Sequence, residues 1–207
     1  MPAIDLDTFK ATPLKKDPYD FLIVPGFITA DAINAIDRDY PRIAKGGSFP
    51  IEELVYGDAF KSLICELEGP EIQCAFEQKF NLNLQDRPTM ITARGYCQAK
   101  DGKIHNDSKT KLITVLIYMN TEWSQQGGRL RVLRSNHSLD DHAAEVPPEA
   151  GTLIAFRRDH RSYHGHKTFV GERRVIQLNW VRDMAVLRRE KHRHRFSAWL
   201  KSVFPAS

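Results

Sequence analysis

After Pro88 the sequence is cut into short runs rich in β-branched and aromatic residues: "TMITARGYCQA", "KLITVLIYMN", "GGRLRVL", "GTLIAFR" and "RRVIQLNWV". Gly, Asn, Pro and Asp clusters separate them, as they separate strands. Before Pro88 the texture is different. "DFLIV" is a single strand-like run stopped by Pro25-Gly26, and "ADAINAIDRDYPRI" repeats Ile33, Ile36 and Tyr40 at helical spacing. Thr29 or Asp31 can cap that helix, and Gly46-Gly47 breaks the pattern. "PIEELVYGDAFKSLICELEGPEIQCAFEQKF" predicts a second helical region, split in two at Gly69-Pro70. Helices followed by about eight short strands predict a mainly β fold with supporting helices: an antiparallel sandwich or barrel with the N-terminal helices packed on one sheet.

The flanks read differently from this body. Residues 1–19 are polar and carry Pro2, Pro13 and Pro18, which predicts an N-terminal arm. Residues 184–207 contain "EKHRHRFSAWLKSVF", a basic C-terminal helix with Phe196, Trp199, Leu200 and Val203 on one side. His192 and His194 lack a carboxylate at metal-site spacing and belong to its solvated face. The formal charge of +4 is a property of this end. From Arg182 onward stand seven Lys or Arg against Asp183 and Glu190, so the preceding body is near neutral. A near-neutral body is not a basic nucleic-acid-binding face, and no nucleic-acid partner is expected. No apolar run approaches the roughly 18 residues of a membrane span, and "MPAIDLDTFKATPLKKDP" has no secretory h-region. Peripheral contact of the basic helix with an anionic surface is compatible with its composition. Cys65, Cys74 and Cys97 form no CxxC pair, and an odd count argues for reduced, buried thiols in a cytoplasmic protein.

The chemistry-bearing stretch is "KIHND". If it begins a strand, His105 and Asp107 point to the same face, so an imidazole and a carboxylate can share one metal. A third ligand must come from "RDHRSYHGHKTFVGERRVIQLNW", where His160, His164 and His166 are available. Two histidines and one carboxylate leave three adjacent coordination positions open, the facial arrangement of non-haem Fe(II) oxygenases. The run after these histidines holds Arg173 and Arg174. Alternation sets Arg174, Ile176, Leu178 and Trp180 on one face and Arg173, Val175, Gln177 and Asn179 on the other. One arginine must therefore enter the barrel, where it needs an anion such as a carboxylate gripped by both guanidinium nitrogens. Arg129 and Arg131 share a strand face, at the barrel mouth or in solvent.

From about Asp20 to Asp183 the sequence resembles the iron(II)- and 2-oxoglutarate-dependent oxygenases of the prolyl-4-hydroxylase-like group. The matching pieces come in order: "ARGYCQAKDGKIHND", "KLITVLIYMNTEWSQQGGRLRVL", "PPEAGTLIAFRRDHRSYHGH" and "GERRVIQLNW". The resemblance implies a double-stranded β-helix, of the jelly-roll or cupin-like kind, as an oxygenase domain over 20–183 with its β core at about 88–183. It implies His105, Asp107 and His164 as the metal-ligating catalytic set, with His164 preferred because it lies ten residues before Arg174. It further implies Arg174 as the anchor of the co-substrate's far carboxylate, six residues before Trp180, with the Tyr96 hydroxyl on the same group and Thr114 nearby. His166 is left as a neighbour of the site and His160 as a loop residue. The cofactors implied are Fe(II), 2-oxoglutarate and dioxygen, with ascorbate as an accessory reductant.

The activity implied is hydroxylation of a small-molecule or peptidyl substrate, coupled to decarboxylation of 2-oxoglutarate to succinate. Two other readings compete with it. A cupin-like metal isomerase or a non-catalytic sensor would keep the His/Asp/His set but has no use for a buried carboxylate anchor. A nucleic-acid dealkylase would need a basic, aromatic-lined face, against the near-neutral body.

Overall fold

The computed structural model describes residues 2–188. The basic helix expected over 184–207 therefore lies, from residue 189 onward, outside the described residues, as do His192 and His194. Strands β1 (Phe21–Val24), β2 (Phe49–Pro50), β3 (Thr89–Cys97), β4 (Lys111–Tyr118), β5 (Leu130–Leu133), β6 (His142–Val146), β7 (Leu153–Arg157), β8 (His164–Gly165) and β9 (Gly171–Val181) form the sheets. Helices α1 (Leu6–Ala11), α2 (Ala30–Asp39), α3 (Asp58–Leu67) and α4 (Pro70–Phe80) precede β3, with a 3₁₀ turn at Ile51–Glu53. Six strands pair in the order β1-β7-β4-β9-β3-β2, and three in the order β6-β5-β8. Every ladder within these sheets is antiparallel. The two sheets face each other as a double-stranded β-helix, with the helices on the outside of the larger one.

Alternation in β4 and β9 explains the layering. Ile113, Val115 and Ile117, with Ile176, Leu178 and Trp180, turn toward the helices and join Phe60, Leu63, Phe76 and Phe80 in the main core. Trp180 packs on Phe76 with ring centroids 4.9 Å apart. The opposite face supplies Tyr118 and Val175, which meet Leu130, Val132 and Val146 of the small sheet. That inter-sheet face of β9 also carries Arg173, Gln177 and Asn179, so polar groups stand where a sandwich is ordinarily apolar.

Helix boundaries follow local chemistry. α4 starts with Pro70 at its first turn, and Asn81 ends it in the left-handed region at φ 49°. α2 begins after Thr29, one of the two residues expected to cap it, although its side chain makes no capping bond. The second helical region starts later than the sequence pattern indicates, because residues 54–57 leave the 3₁₀ turn as coil before α3.

The first residues do not form an extended arm. The Asp5 carboxylate accepts the Thr8 N–H at 2.9 Å and caps α1, and Phe9 is fully buried between Phe27 and Phe76. The backbone N–H groups of Ala3 and Ile4 donate to the Glu66 carboxylate at 2.9 and 3.0 Å, fastening the segment to α3. The cysteine expectation also changes: Cys97 is buried, but Cys65 and Cys74 are exposed on the helices. Because Phe9 fills a closed aromatic cluster, Phe9→Ala is expected to cost about 3–5 kcal/mol in urea unfolding. A loss below about 0.5 kcal/mol, the usual surface value, would show that the N-terminal segment does not belong to the core.

Candidate metal centre

His105 and His164 are brought together by their backbones. Each donates its N–H to the other's carbonyl at 3.0 Å, although 59 residues separate them. The ring centroids are 4.3 Å apart. One ligand atom each from His105, Asp107 and His164 lie within 4.8 Å of one another, a span one ion can bridge. Asn106, assigned no role from sequence, fastens this junction: its amide N–H₂ donates to the Asp159 carbonyl at 2.7 Å, and its oxygen accepts from the Ser162 hydroxyl at 2.7 Å. The two ligand-bearing loops are therefore held to each other on both sides of the site.

The ring orientations suit metal binding. Nδ1 of His105 lies 2.8 Å from the Lys103 carbonyl, and Nδ1 of His164 lies 3.0 Å from that of Ser162. A carbonyl only accepts, so each Nδ1 carries the proton and each Nε2 keeps a free lone pair. Burial pushes the His164 imidazole down to about 4, with the Asp107 carboxylate opposing it, so the ring is neutral at physiological pH. Burial works against the Asp107 carboxylate too, but the Lys111 ammonium, His164 and hydrogen bonds from Lys111 and Thr114 outweigh it and hold its pKa well below the usual range. Neutral imidazoles and an ionised carboxylate are the forms that bind a cation.

Asp107 is positioned by residues to which the sequence gave little weight. The Lys111 ammonium donates to its Oδ1 at 2.8 Å, and the Thr114 hydroxyl donates to its Oδ2 at 2.5 Å. Thr114 Oγ1 also lies 3.0 Å from the Asn179 amide oxygen, while the Asn179 amide nitrogen is buried without a partner. A hydroxyl has one proton to give. Rotating the Asn179 amide by half a turn lets its N–H₂ donate to Thr114, in exchange for the 3.3 Å bond its oxygen accepts from Gln177 Nε2. The sequence signal for Lys111 is its place four residues after Asp107.

The ligand set opens into a cavity of about 90 Å³ between the sheets, whose walls include Arg94, Thr114, His166, Arg173 and Gln177. His166 is buried; its Nδ1 donates to the Lys167 carbonyl at 2.9 Å and its Nε2 faces Cys97 Sγ at 3.9 Å. Burial and the nearby Arg173 charge push its pKa down to about 4. Gly102 makes room for this ring: at φ +86°, a Cβ there would sit 2.4 Å from His166 Nδ1. His160 is on an exposed loop and pairs with Asp159.

Two expectations change here. Arg174 does not enter the cavity: it leaves β9 on the helix-facing side, where it pairs with Asp37 and, at 2.7 Å, with Glu172 and lies over the Tyr40 ring. Trp180, used as its spacing reference, points the same way into the helix-covered core. Arg173 is the arginine that turns inward; it is 5% exposed, its Nε donates to the Gly128 carbonyl at 2.8 Å, and its Nη2 has no partner. It lies over the Tyr118 ring at 5.3 Å, and the buried Tyr118 hydroxyl is likewise unpartnered. Tyr96 also misses the cavity. The β3–β9 register shifts between Arg94 and Tyr96, so Tyr96 lies on the outer groove with Tyr40 and Arg174, while Cys97 faces inward. Arg129 and Arg131 are engaged outside the cavity: both pair with Glu145, and Arg131 also with Asp140.

A His/Asp/His cluster graded from exposed His105 to buried His164, beside an arginine with an unpartnered nitrogen, has the donor set of a non-haem metal site. Both features fit the donor needs of Fe(II) and of a dicarboxylate co-substrate. Residues 92–182 match the 2OG-Fe(II) oxygenase superfamily. The protein is thus an enzyme of the 2-oxoglutarate-dependent oxygenase class, with Fe(II), 2-oxoglutarate and dioxygen as its cofactors. No curated protein matches the sequence. Among solved structures, a prolyl-4-hydroxylase from Pseudomonas putida superposes with a TM-score of 0.53 at 17% identity, covering 89% of this chain and 93% of its own. A 2OG-Fe(II) oxygenase family oxidoreductase from Burkholderia pseudomallei gives 0.53 at 14% identity, covering 85% and 89%. A prolyl 4-hydroxylase from Phytophthora capsici gives 0.53 at 12%, covering 86% and 63%. At these identities the likeness establishes the shared fold.

The two neutral imidazoles tie stability to pH. His164 and His166 titrate near 4 when folded and near 6.5 otherwise, so the unfolded chain takes up more protons between these values. Their burial therefore costs nothing above pH 6.5 and becomes progressively destabilising down to about pH 4. The lowered Asp107 value adds a further loss below 3.8. For metal-free protein, the urea midpoint is expected to fall from about pH 6.5 toward pH 4 and to fall less in His166→Gln. A flat wild-type profile over that window would contradict the buried, uncharged placement of these rings.

Proposed function

We propose that the protein couples oxidative decarboxylation of 2-oxoglutarate, giving succinate and carbon dioxide, to hydroxylation of a small-molecule or peptidyl substrate. His105, Asp107 and His164 hold the iron, and Arg173 takes the role that the family resemblance gave to Arg174. The observation that carries this reading is Arg173 Nη2, a cationic donor buried without a partner in the wall of the metal cavity. A buried guanidinium of this kind is stable only against an anion. The C5 carboxylate of 2-oxoglutarate supplies one, and the nearby Tyr118 hydroxyl offers it a second donor in the place proposed for Tyr96. Thr114 acts on Asp107 rather than on the co-substrate.

Bound iron with 2-oxoglutarate and dioxygen supplies the oxidising equivalent that replaces a substrate C–H hydrogen by hydroxyl. The chain's own residues position and insulate. His105 and His164 present Nε2 lone pairs fixed by carbonyl bonds from Nδ1. Lys111 and Thr114 each bond one oxygen of the Asp107 carboxylate and so fix its orientation, leaving the remaining lone pairs for the ion. Leu116, Leu130 and Val175 close the cavity's apolar side and exclude water from the reacting groups. A metal isomerase on the same triad has no use for the Arg173 donor, which favours the oxygenase over that alternative. No described helix is long and apolar enough to cross a membrane. A cytoplasmic setting, which keeps Fe(II) and the three thiols reduced, suits the chemistry.

The arginine assignment has a direct test in carbon dioxide release from carboxyl-labelled 2-oxoglutarate. Arg173→Met is expected to raise the KM for 2-oxoglutarate by about 100-fold, the loss of a buried charge-assisted pair. Arg174→Met is expected to stay within about threefold of wild type, since it removes only partly exposed ion pairs. The opposite ranking would restore Arg174 as the anchor, and no release by wild-type protein loaded with Fe(II) would remove the oxygenase reading.

A further inference from the structure

We infer that the primary substrate is a small monoanionic carboxylic acid whose carboxylate is received by Arg94. The inference rests on the site reading above, in which Arg173 serves 2-oxoglutarate. The same cavity wall holds a second guanidinium that this co-substrate does not need. Arg94 comes from β3, in register with Val175 of β9, two residues beyond Arg173, so the two side chains enter the cavity from neighbouring strands. A 2-oxoglutarate molecule has two carboxylates: its keto-acid end belongs with the metal and its far end with Arg173.

Arg94 is held in place without being fully engaged. Its Nε donates to the Gly47 carbonyl at a long 3.3 Å, and its Nη2 stands 3.5 Å from Asp101 Oδ1. The other Asp101 oxygen accepts the Gln98 N–H at 2.9 Å, so Asp101 is fixed by its own turn and cannot close further on the arginine. The side chain is 26% exposed, and it lines the metal cavity. These contacts are long ones through Nε and Nη2, and they leave Nη1 to reach a carboxylate.

Charge balance leads to the same class of substrate. Lys111 matches Asp107, Asp101 matches Arg94, and the dianionic co-substrate matches a divalent metal. One positive charge, contributed by Arg173, then remains in a largely enclosed space. A monoanion removes that excess; a neutral substrate leaves it, and a protonated amine doubles it.

The test uses full-length protein loaded with Mn(II) and saturating N-oxalylglycine, the unreactive amide isostere of 2-oxoglutarate, so that the co-substrate positions are filled. Trifluoroacetate is the probe, and its fluorine transverse relaxation reports approach to the paramagnetic ion. The expected result is saturable relaxation of trifluoroacetate and none of neutral trifluoroacetamide. Arg94→Met is expected to weaken the trifluoroacetate response by about tenfold or more while N-oxalylglycine affinity is kept, and Arg94→Lys to retain part of it. Equal relaxation of the amide, no saturable response in wild type, or an unchanged response in Arg94→Met would overturn the inference. Loss of N-oxalylglycine affinity in Arg94→Met would overturn it as well, by assigning Arg94 to the co-substrate. Failure of wild-type protein to bind Mn(II) or N-oxalylglycine at all is a separate result, and it would refute the site reading itself.

Discussion

Two backbone hydrogen bonds between His105 and His164 decide whether this fold has a metal centre. They join a loop leading into the large sheet to β8 of the small sheet, which itself pairs through Val132 and His164 with β5. Because the bonds are reciprocal, the two imidazoles cannot drift apart without opening the inter-sheet junction. The ligand geometry is thus carried by main-chain pairing, and the side chains only have to choose rotamers. The Asn106 bridges to Asp159 and Ser162 repeat the lock one residue on. Burial of apolar side chains between the sheets and beneath the helices supplies the driving force that keeps the junction closed.

Around that junction the electrostatics are arranged in opposite senses. Asp107 is surrounded by donors that favour its charged form, whereas His164 and His166 are kept uncharged by burial. The cluster therefore presents lone pairs and one negative charge, and a cation gains from all of them. Arg173 is the inverse case, a buried cation with one donor given to Gly128 and one without a partner. A guanidinium donor beside a His/Asp/His triad is the pairing that a chelating dicarboxylate and its metal would use.

Much of this was legible in the sequence, for identifiable reasons. The two-residue spacing of His105 and Asp107 fixes a shared direction wherever the backbone is extended, and the short runs after Pro88 announce the sheets. Arg174 was preferred over Arg173 because spacing to Trp180 was weighed above the character of each face, and the structure turns Arg173, not Arg174, toward the cavity. Ile176, Leu178 and Trp180 are the helix-covered side, and Arg174 travels with them; Arg173, Gln177 and Asn179 form the polar set that a site requires. Tyr96 was lost to a register shift after Arg94, which period-two reasoning cannot foresee. The N-terminal helix had a readable signal in Asp5 and Thr8, a cap three residues long followed by Phe9, but three prolines outweighed it. Lys111 was discounted as one of several lysines, and only the turn of chain between it and Asp107 shows which lysine reaches the carboxylate.

The central claim is that one ion is held by His105, Asp107 and His164 with room beside it for a chelating keto acid. Anaerobic addition of Fe(II) and then 2-oxoglutarate measures this most directly, through the weak visible charge-transfer band of the iron–keto-acid chelate. The account predicts that the band appears in wild type, saturates at one equivalent of iron, and is absent in Asp107→Ala. Iron binding without the band in wild type, or a band of undiminished strength in Asp107→Ala, would contradict it.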